Sequence, residues 1–117
     1  VTTLTLNTEA LRSTAIDEYR LLEISQPFSL VRLEYGISKT LVFDEISTLC
    51  LATEGTTVFS VYVTTGELDL HLGDDDTATP VFRVTAPGAF SIINSPVGGI
   101  TLKGVDTTST YTYLLGE

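Results

Sequence analysis

The stretch HLGDDDTATP, residues 71–80, carries the chain's single histidine and its densest run of carboxylates. Asp74 and Asp76 are candidate metal ligands, since carboxylate oxygens suit a hard cation such as calcium, with Asp75 or a threonine carbonyl completing the shell. The later glutamate of an EF-hand loop is missing, however. Glycine and aspartate together also make a solvated hairpin end, where they supply unusual backbone angles and local hydrogen bonds. The acidic turn is the expected reading. His71 could serve as a base or a ligand, with Glu67 and Asp69 on the same face of its strand. Nucleophilic catalysis also needs a serine or cysteine beside such a base, and the sequence identifies none: it holds no GxSxG elbow, no HExxH and no glycine-rich phosphate loop.

Paired carboxylates hydrolyse glycosides when they face each other across a cleft. Adjacent residues of a strand point to opposite faces, so neither Asp17-Glu18 nor Asp44-Glu45 forms such a pair by itself. Both doublets are expected at turns or edges, where charge discourages unwanted strand pairing. A lone cysteine, Cys50, excludes an intramolecular disulfide and the zinc sites that need several thiolates. Within STLCLAT it reads as a small buried hydrophobe. No catalytic residue and no cofactor is therefore expected. Tyr111 and Tyr113 alternate on one face of the last apolar run, and Tyr62 lies in the most apolar one. Exposed rings of this kind stack on sugars, while covered ones fill cores or subunit interfaces.

The elements that would position these residues are strands. Runs of Val, Ile, Leu, Thr, Phe and Tyr, each closed by Gly, Pro, Asp or Ser, recur along the chain, about nine or ten of them. They are TTLTL (2–6), YRLLEI (19–24), FSLVRLEY (28–35, closed by Gly36), TLVFDEISTLCLA (40–52), TVFSVYV (57–63), ELDLHL (67–72), PVFRVTA (80–86), AFSII (89–93), GITLKG (99–104) and TYTYLL (110–115). The run at 40–52 is expected to bend at Asp44-Glu45 into two strands. Residues 57–63 and 67–72 read as a hairpin about Thr65-Gly66, the second strand with Leu68, Leu70 and Leu72 buried and Glu67, Asp69 and His71 wet. Only residues 8–18 offer a helical turn, with Thr8 as its N-cap. Connections this short require antiparallel neighbours. The expected fold is all-β, a single antiparallel β-sandwich over 1–117, jelly-roll-like, with at most one short helix near the N-terminus and residues 1–18 as an N-terminal arm.

At 117 residues the chain has length for one core, and an apolar fraction of 43% supplies the material. Fifteen Asp and Glu against six Lys and Arg, a balance of -9, would repel nucleic acid and anionic membranes, and the six cations are scattered. No run reaches the length of a membrane span, and neither a basic nor an apolar leader opens the chain, although a signal peptide already removed would leave no trace. In TTVFSVYV, Val58, Ser60 and Tyr62 share one face, and Phe59, Val61 and Val63 share the other. Apolar surface on both sides of a strand calls for a second cover, and another subunit is a simple one. Phe59, Tyr62, Tyr111 and Tyr113 are accordingly the candidate interface residues.

The Thr-rich, acidic, cysteine-poor chain, its segment TAPGAFSIINSPVGGITLKG and its terminal strand TYTYLLGE together resemble the small virion structural proteins of tailed bacteriophages, of the capsid decoration (cement) or tail-accessory type. The resemblance covers about the second half. It implies a jelly-roll or related β domain, often a homotrimer, located on the virion, where it binds the major capsid or tail protein and reinforces contacts between neighbouring subunits. The alternative is a carbohydrate-binding or receptor-binding β-sandwich module, which would be secreted. Neither reading is that of an enzyme.

Overall fold

The computed structural model describes residues 2–14, 16–50, 58–72, 80, 82–93 and 100–117. It resolves into two units, Val1–Arg32 and Leu33–Glu117. In the first, β1 (Thr2–Ser13) and β2 (Glu18–Leu30) form a two-stranded antiparallel ribbon. Thr2, Leu4, Leu6, Thr8 and Ala10 alternate on one face, opposite Leu30, Phe28, Gln26, Ile24 and Leu22 of β2. The reverse face pairs Thr3, Thr5, Asn7 and Glu9 with Ser29, Pro27, Ser25 and Glu23. The ribbon is thus apolar on one side and polar on the other.

Three boundaries in this unit differ from the sequence reading. Residues 8–13 are strand rather than a helical turn, because cross-strand partners from Glu18 to Ile24 satisfy their backbone, which an isolated short helix cannot do as well. Pro27 interrupts nothing. Each strand of a two-stranded ribbon leaves half its N–H groups unpaired, so a proline opposite Thr5 need not break the ladder. The arm expected at 1–18 is therefore the first half of a hairpin that runs on to Leu30.

The second unit is a sandwich. Its strands are β3 (Leu33–Val42), β4 (Ile46–Cys50), β5 (Val58–Thr65), β6 (Glu67–Leu72), β7 (Phe82–Thr85), β8 (Gly88–Ile93), β9 (Ile100–Gly104) and β10 (Thr108–Gly116). They form two four-stranded sheets, ordered β3-β10-β5-β8 and β4-β9-β6-β7. Every pairing is antiparallel: β3 with β10, β4 with β9, β5 with β8 and β6 with β7, as in one long hairpin rolled upon itself, which is a jelly roll. The core draws on both sheets, with Leu41, Phe59, Val61, Val63, Tyr111, Tyr113 and Leu115 from one and Leu49, Leu68, Leu70, Val84, Ile100 and Leu102 from the other. Phe82 stacks on Phe90 at 5.0 Å between β7 and β8. Among the described residues no helix occurs, and the all-β sandwich expected from the strand spacing is observed.

The strand order takes the chain between the sheets six times, and hydrogen bonds join the four crossings that fall on described residues. The expected bend at Asp44-Glu45 is one: Asp44 N–H donates to Gly104 O (2.9 Å) and Gly104 N–H to Glu45 O (2.9 Å). The expected hairpin about Gly66 is another crossing instead, because β5 and β6 belong to different sheets. Gly66 adopts φ 80°, which turns the chain out of one sheet and into the other. Gly66 O accepts from Ala86 N–H (2.9 Å), and Glu67 O accepts from Val105 N–H (3.1 Å). The buried Ser109 hydroxyl donates to Glu67 O (2.8 Å) and accepts from Glu67 N–H (3.1 Å). Gly36, expected to close a strand, lies inside β3, where a Cβ would come within 2.5 Å of the Tyr113 ring.

Gly66→Ala should therefore be costly. A side chain at this positive φ would strike the Ser109 hydroxyl and lie 2.7 Å from the Thr108 carbonyl oxygen. Urea unfolding should show a loss of about 2–4 kcal/mol; a loss below about 0.5 kcal/mol, the range of an ordinary surface change, would contradict the account.

Candidate functional site

The outer face of the β4-β9-β6-β7 sheet gathers the chain's polar chemistry. Register places Ile46, Lys103, Asp69 and Arg83 in one row across the four strands, and Thr48, Thr101 and His71 in the next. Arg83 grips Asp69 with two bonds, Nε to Oδ1 at 2.8 Å and Nη2 to Oδ2 at 3.1 Å. That bidentate geometry holds the Arg83 guanidinium charged, its pKa raised first by the Asp69 hydrogen bond and then by the Asp69 charge. Lys103 also pairs with Asp44 at 3.2 Å, an ion pair exposed enough to contribute little.

The face expected to be wet is thus closed at two of its three positions. Asp69 and His71 are buried, His71 to 2% exposure. The alternation of β6 correctly put Leu68 and Leu70 in the core, but period two says only that two faces differ, not that the second meets water. Among the described residues, neither ring nitrogen of His71 has a hydrogen-bond partner. A general base must sit within hydrogen-bond reach of the proton it takes, and is itself oriented by a third group. His71 has neither arrangement among the described residues. No group of three or more His, Cys, Asp or Glu there is placed to hold a metal. Asp74 and Asp76 lie outside the described residues, as does the side chain of Cys50, whose backbone belongs to β4.

Of the four aromatic candidates, Phe59, Tyr111 and Tyr113 are buried by their own chain and belong to the core. The Tyr111 and Tyr113 rings lie 6.2 Å apart, and the Tyr113 hydroxyl donates to Glu34 Oε1 at 2.9 Å. Burial, reinforced by that carboxylate, pushes the Tyr113 phenol up to about 12. Burial also raises Tyr111, against a hydrogen bond from Ser47. The alternation of these two rings fits either face of a strand, and the core took them.

Tyr62 is the exception, 47% exposed on the outer face of the β3-β10-β5-β8 sheet. Tyr35 and Ile37, which the sequence reading did not single out, are exposed at 65% and 70%, and Leu114 lies half-buried beside Tyr35. The second apolar surface is the ribbon. Leu22 and Ile24 are 43% and 46% exposed on its apolar face, and Ile16 at the tip is 97% exposed. At the tip, Thr14 N–H donates to Asp17 O (2.7 Å), and Glu18 N–H to Asp17 Oδ1 (3.0 Å). Both acidic doublets thus sit at turns, as expected. On the polar face, Arg20 bridges Glu23 (2.8 Å) and Glu9 (3.8 Å), which register sets directly opposite each other. A shallow depression of about 340 Å3 lies there, lined by Asn7, Glu9, Glu23 and Ser25 among others. The period-two pattern Leu22, Ile24, Phe28, Leu30 was visible in the sequence, but Pro27 hid its continuity.

Two measurements test this description. Replacing His71 with Leu removes two unpaired buried nitrogens and should raise stability by about 1 kcal/mol in urea unfolding; a loss of stability would mean that the imidazole holds a partner. Because folding raises the Tyr113 phenol from an ordinary 10 to about 12, its contribution is fully present below pH 10 and is lost as pH climbs towards 12. Stability should fall across that window in the wild type and less steeply in Tyr113→Phe; equal slopes would refute the assignment.

No protein-family model, no curated protein and no solved structure matches this chain, so its function rests on its own residues.

Proposed function

We propose that the chain is a non-catalytic virion structural protein of a tailed bacteriophage, a capsid decoration protein that binds between capsid subunits and reinforces the head. The observation that carries this reading is the ribbon, a long two-stranded arm with a largely apolar face, on which Leu22 and Ile24 are exposed, and an exposed hydrophobic tip at Ile16. An isolated two-stranded hairpin is marginal in water, so an ordered arm of this kind needs a cover. Exposed apolar surface on a soluble domain marks a docking site. The jelly roll supports the reading as a scaffold shared by capsid and lectin domains, though a fold by itself assigns no function. The acidic balance of -9 suits a partner bound through apolar contact rather than through nucleic acid.

A carbohydrate-binding module is the second reading, favoured by Tyr35 and Tyr62 exposed on one sheet face. Glycan-array binding that disappears in Tyr62→Ala would establish it.

The test uses virions of the phage whose genome carries the coding gene. The purified chain should bind particles stripped of it and raise their heat resistance, and Ile16→Asp should weaken attachment about tenfold or more while leaving the melting temperature unchanged, since burying one isoleucine contributes about 1.5–3 kcal/mol. No binding to such particles, or binding indifferent to Ile16, would overturn the proposal.

A further inference from the structure

We infer that the apolar face of the ribbon docks on a second copy of this chain, lying across the outer face of that copy's β3-β10-β5-β8 sheet at Tyr35, Ile37 and Tyr62. This deepens the assembly reading and rests on its premise that the chain works through docking surfaces.

The geometry points first to a face-on contact. An edge-on addition to another sheet would use main-chain groups and leave Leu22 and Ile24 as exposed as before. The register aligns those two side chains on one side of the ribbon, with Thr8 and Ala10 opposite them. Only a surface laid against that side removes them from water. Two sheets packing face to face through interdigitated side chains do this. The receiving face is on the same chain: Tyr35, Ile37 and Tyr62 project from one sheet, with Leu114 and Thr112 between them on β10.

Area then selects the occupant. The exposed length of the ribbon runs from the Thr8–Ile24 pair through Ser13–Glu18 to the tip, about 25 Å at roughly 3.3 Å per residue, and two strands are roughly 10 Å wide. Its footprint is therefore roughly 250 Å2, and one ribbon on a single free partner in solution would bury about 500 Å2 in all, short of the roughly 1,000 Å2 of a stable two-body interface, whereas attachment to a capsid adds such contacts over many copies. When each copy both gives a ribbon and receives one, the total doubles and reaches that threshold. Only reciprocal exchange puts two ribbons into one interface, so a closed pair of copies is the arrangement in which this surface suffices.

The test combines mass with mapping, on the full chain. Sedimentation equilibrium of the wild type should give an oligomer at micromolar concentration. Ile24→Lys and Tyr62→Lys should each raise its dissociation constant about tenfold or more, whereas Ser25→Lys, on the ribbon's polar face, should leave it unchanged. Circular dichroism checks that each variant folds. A photo-crosslinker at position 24, in a mixture of 15N-labelled and unlabelled chains, should form mixed-isotope adducts on peptides containing Tyr35, Ile37 or Tyr62. A monomeric wild type, adducts confined to one isotope, or adducts joining ribbon to ribbon would each overturn the inference. A monomer that still binds virions overturns this inference alone, whereas an oligomer that ignores virions overturns the proposed function and leaves this one standing.

Discussion

The sandwich depends on the backbone of two residues. Gly66 and Glu67 carry the chain from one sheet to the other, and together they accept hydrogen bonds from Ala86, Val105 and Ser109, which belong to two other crossings. Gly104 extends the same network to the fourth crossing at Asp44-Glu45. A jelly roll has few local pairings, since β3 must find β10 and β4 must find β9 across most of the chain. Apolar burial cannot alone decide which strands meet, because Val, Ile and Leu are nearly interchangeable partners. Fixed main-chain bonds at one set of corners can. They hold four crossings in mutual register, and the register then dictates which side chains enter the core.

That register explains why polar chemistry collects where it does. Once Leu68 and Leu70 face inward, Asp69 and His71 must face outward together with Thr101 and Lys103. Asp69 is answered by Arg83 from the neighbouring strand. His71 is not answered. A buried imidazole without a partner among the described residues opposes stability by a desolvation cost of about 1–3 kcal/mol, an amount the core, at about 1.5–3 kcal/mol per large side chain, readily outweighs. The sandwich accommodates His71 at that cost.

Much of the sandwich was legible in the sequence because period two is a local property. The bend at Asp44-Glu45, the inward Leu68 and Leu70 and the antiparallel habit all follow from residues within one or two turns of each other. What escaped was non-local. Thr65-Gly66 looks the same whether it joins two strands of one sheet or crosses between two, and only the distant Ser109 distinguishes the cases. The exposure of a strand's second face is equally invisible in its own residues, so His71 was expected in water. Tyr111 and Tyr113 were correctly placed on a common face, but whether that face meets a core or a partner depends on the sheet opposite. In the ribbon, YRLLEI (19–24) and FSLVRLEY (28–35) read as separate runs, although the alternation of Leu22, Ile24, Phe28 and Leu30 continues through Pro27.

Charge is distributed in a way that suits contact through the ribbon. Arg12, Arg20 and Arg32 nearly cancel Glu9, Asp17, Glu18 and Glu23, a balance of -1, so that the remaining -8 of the total of -9 falls on residues 33–117. Two sandwiches approaching each other repel over a screening length of about 8 Å at physiological salt. The ribbon's own balance of -1 adds little to that repulsion. Its own carboxylates are further muted, since Arg20 sits between Glu9 and Glu23 on the polar face and leaves the apolar face without an ion pair to desolvate. On the proposed reading acidity and adhesion coexist in one chain, with residues 33–117 carrying the repulsive charge and the ribbon offering the apolar contact.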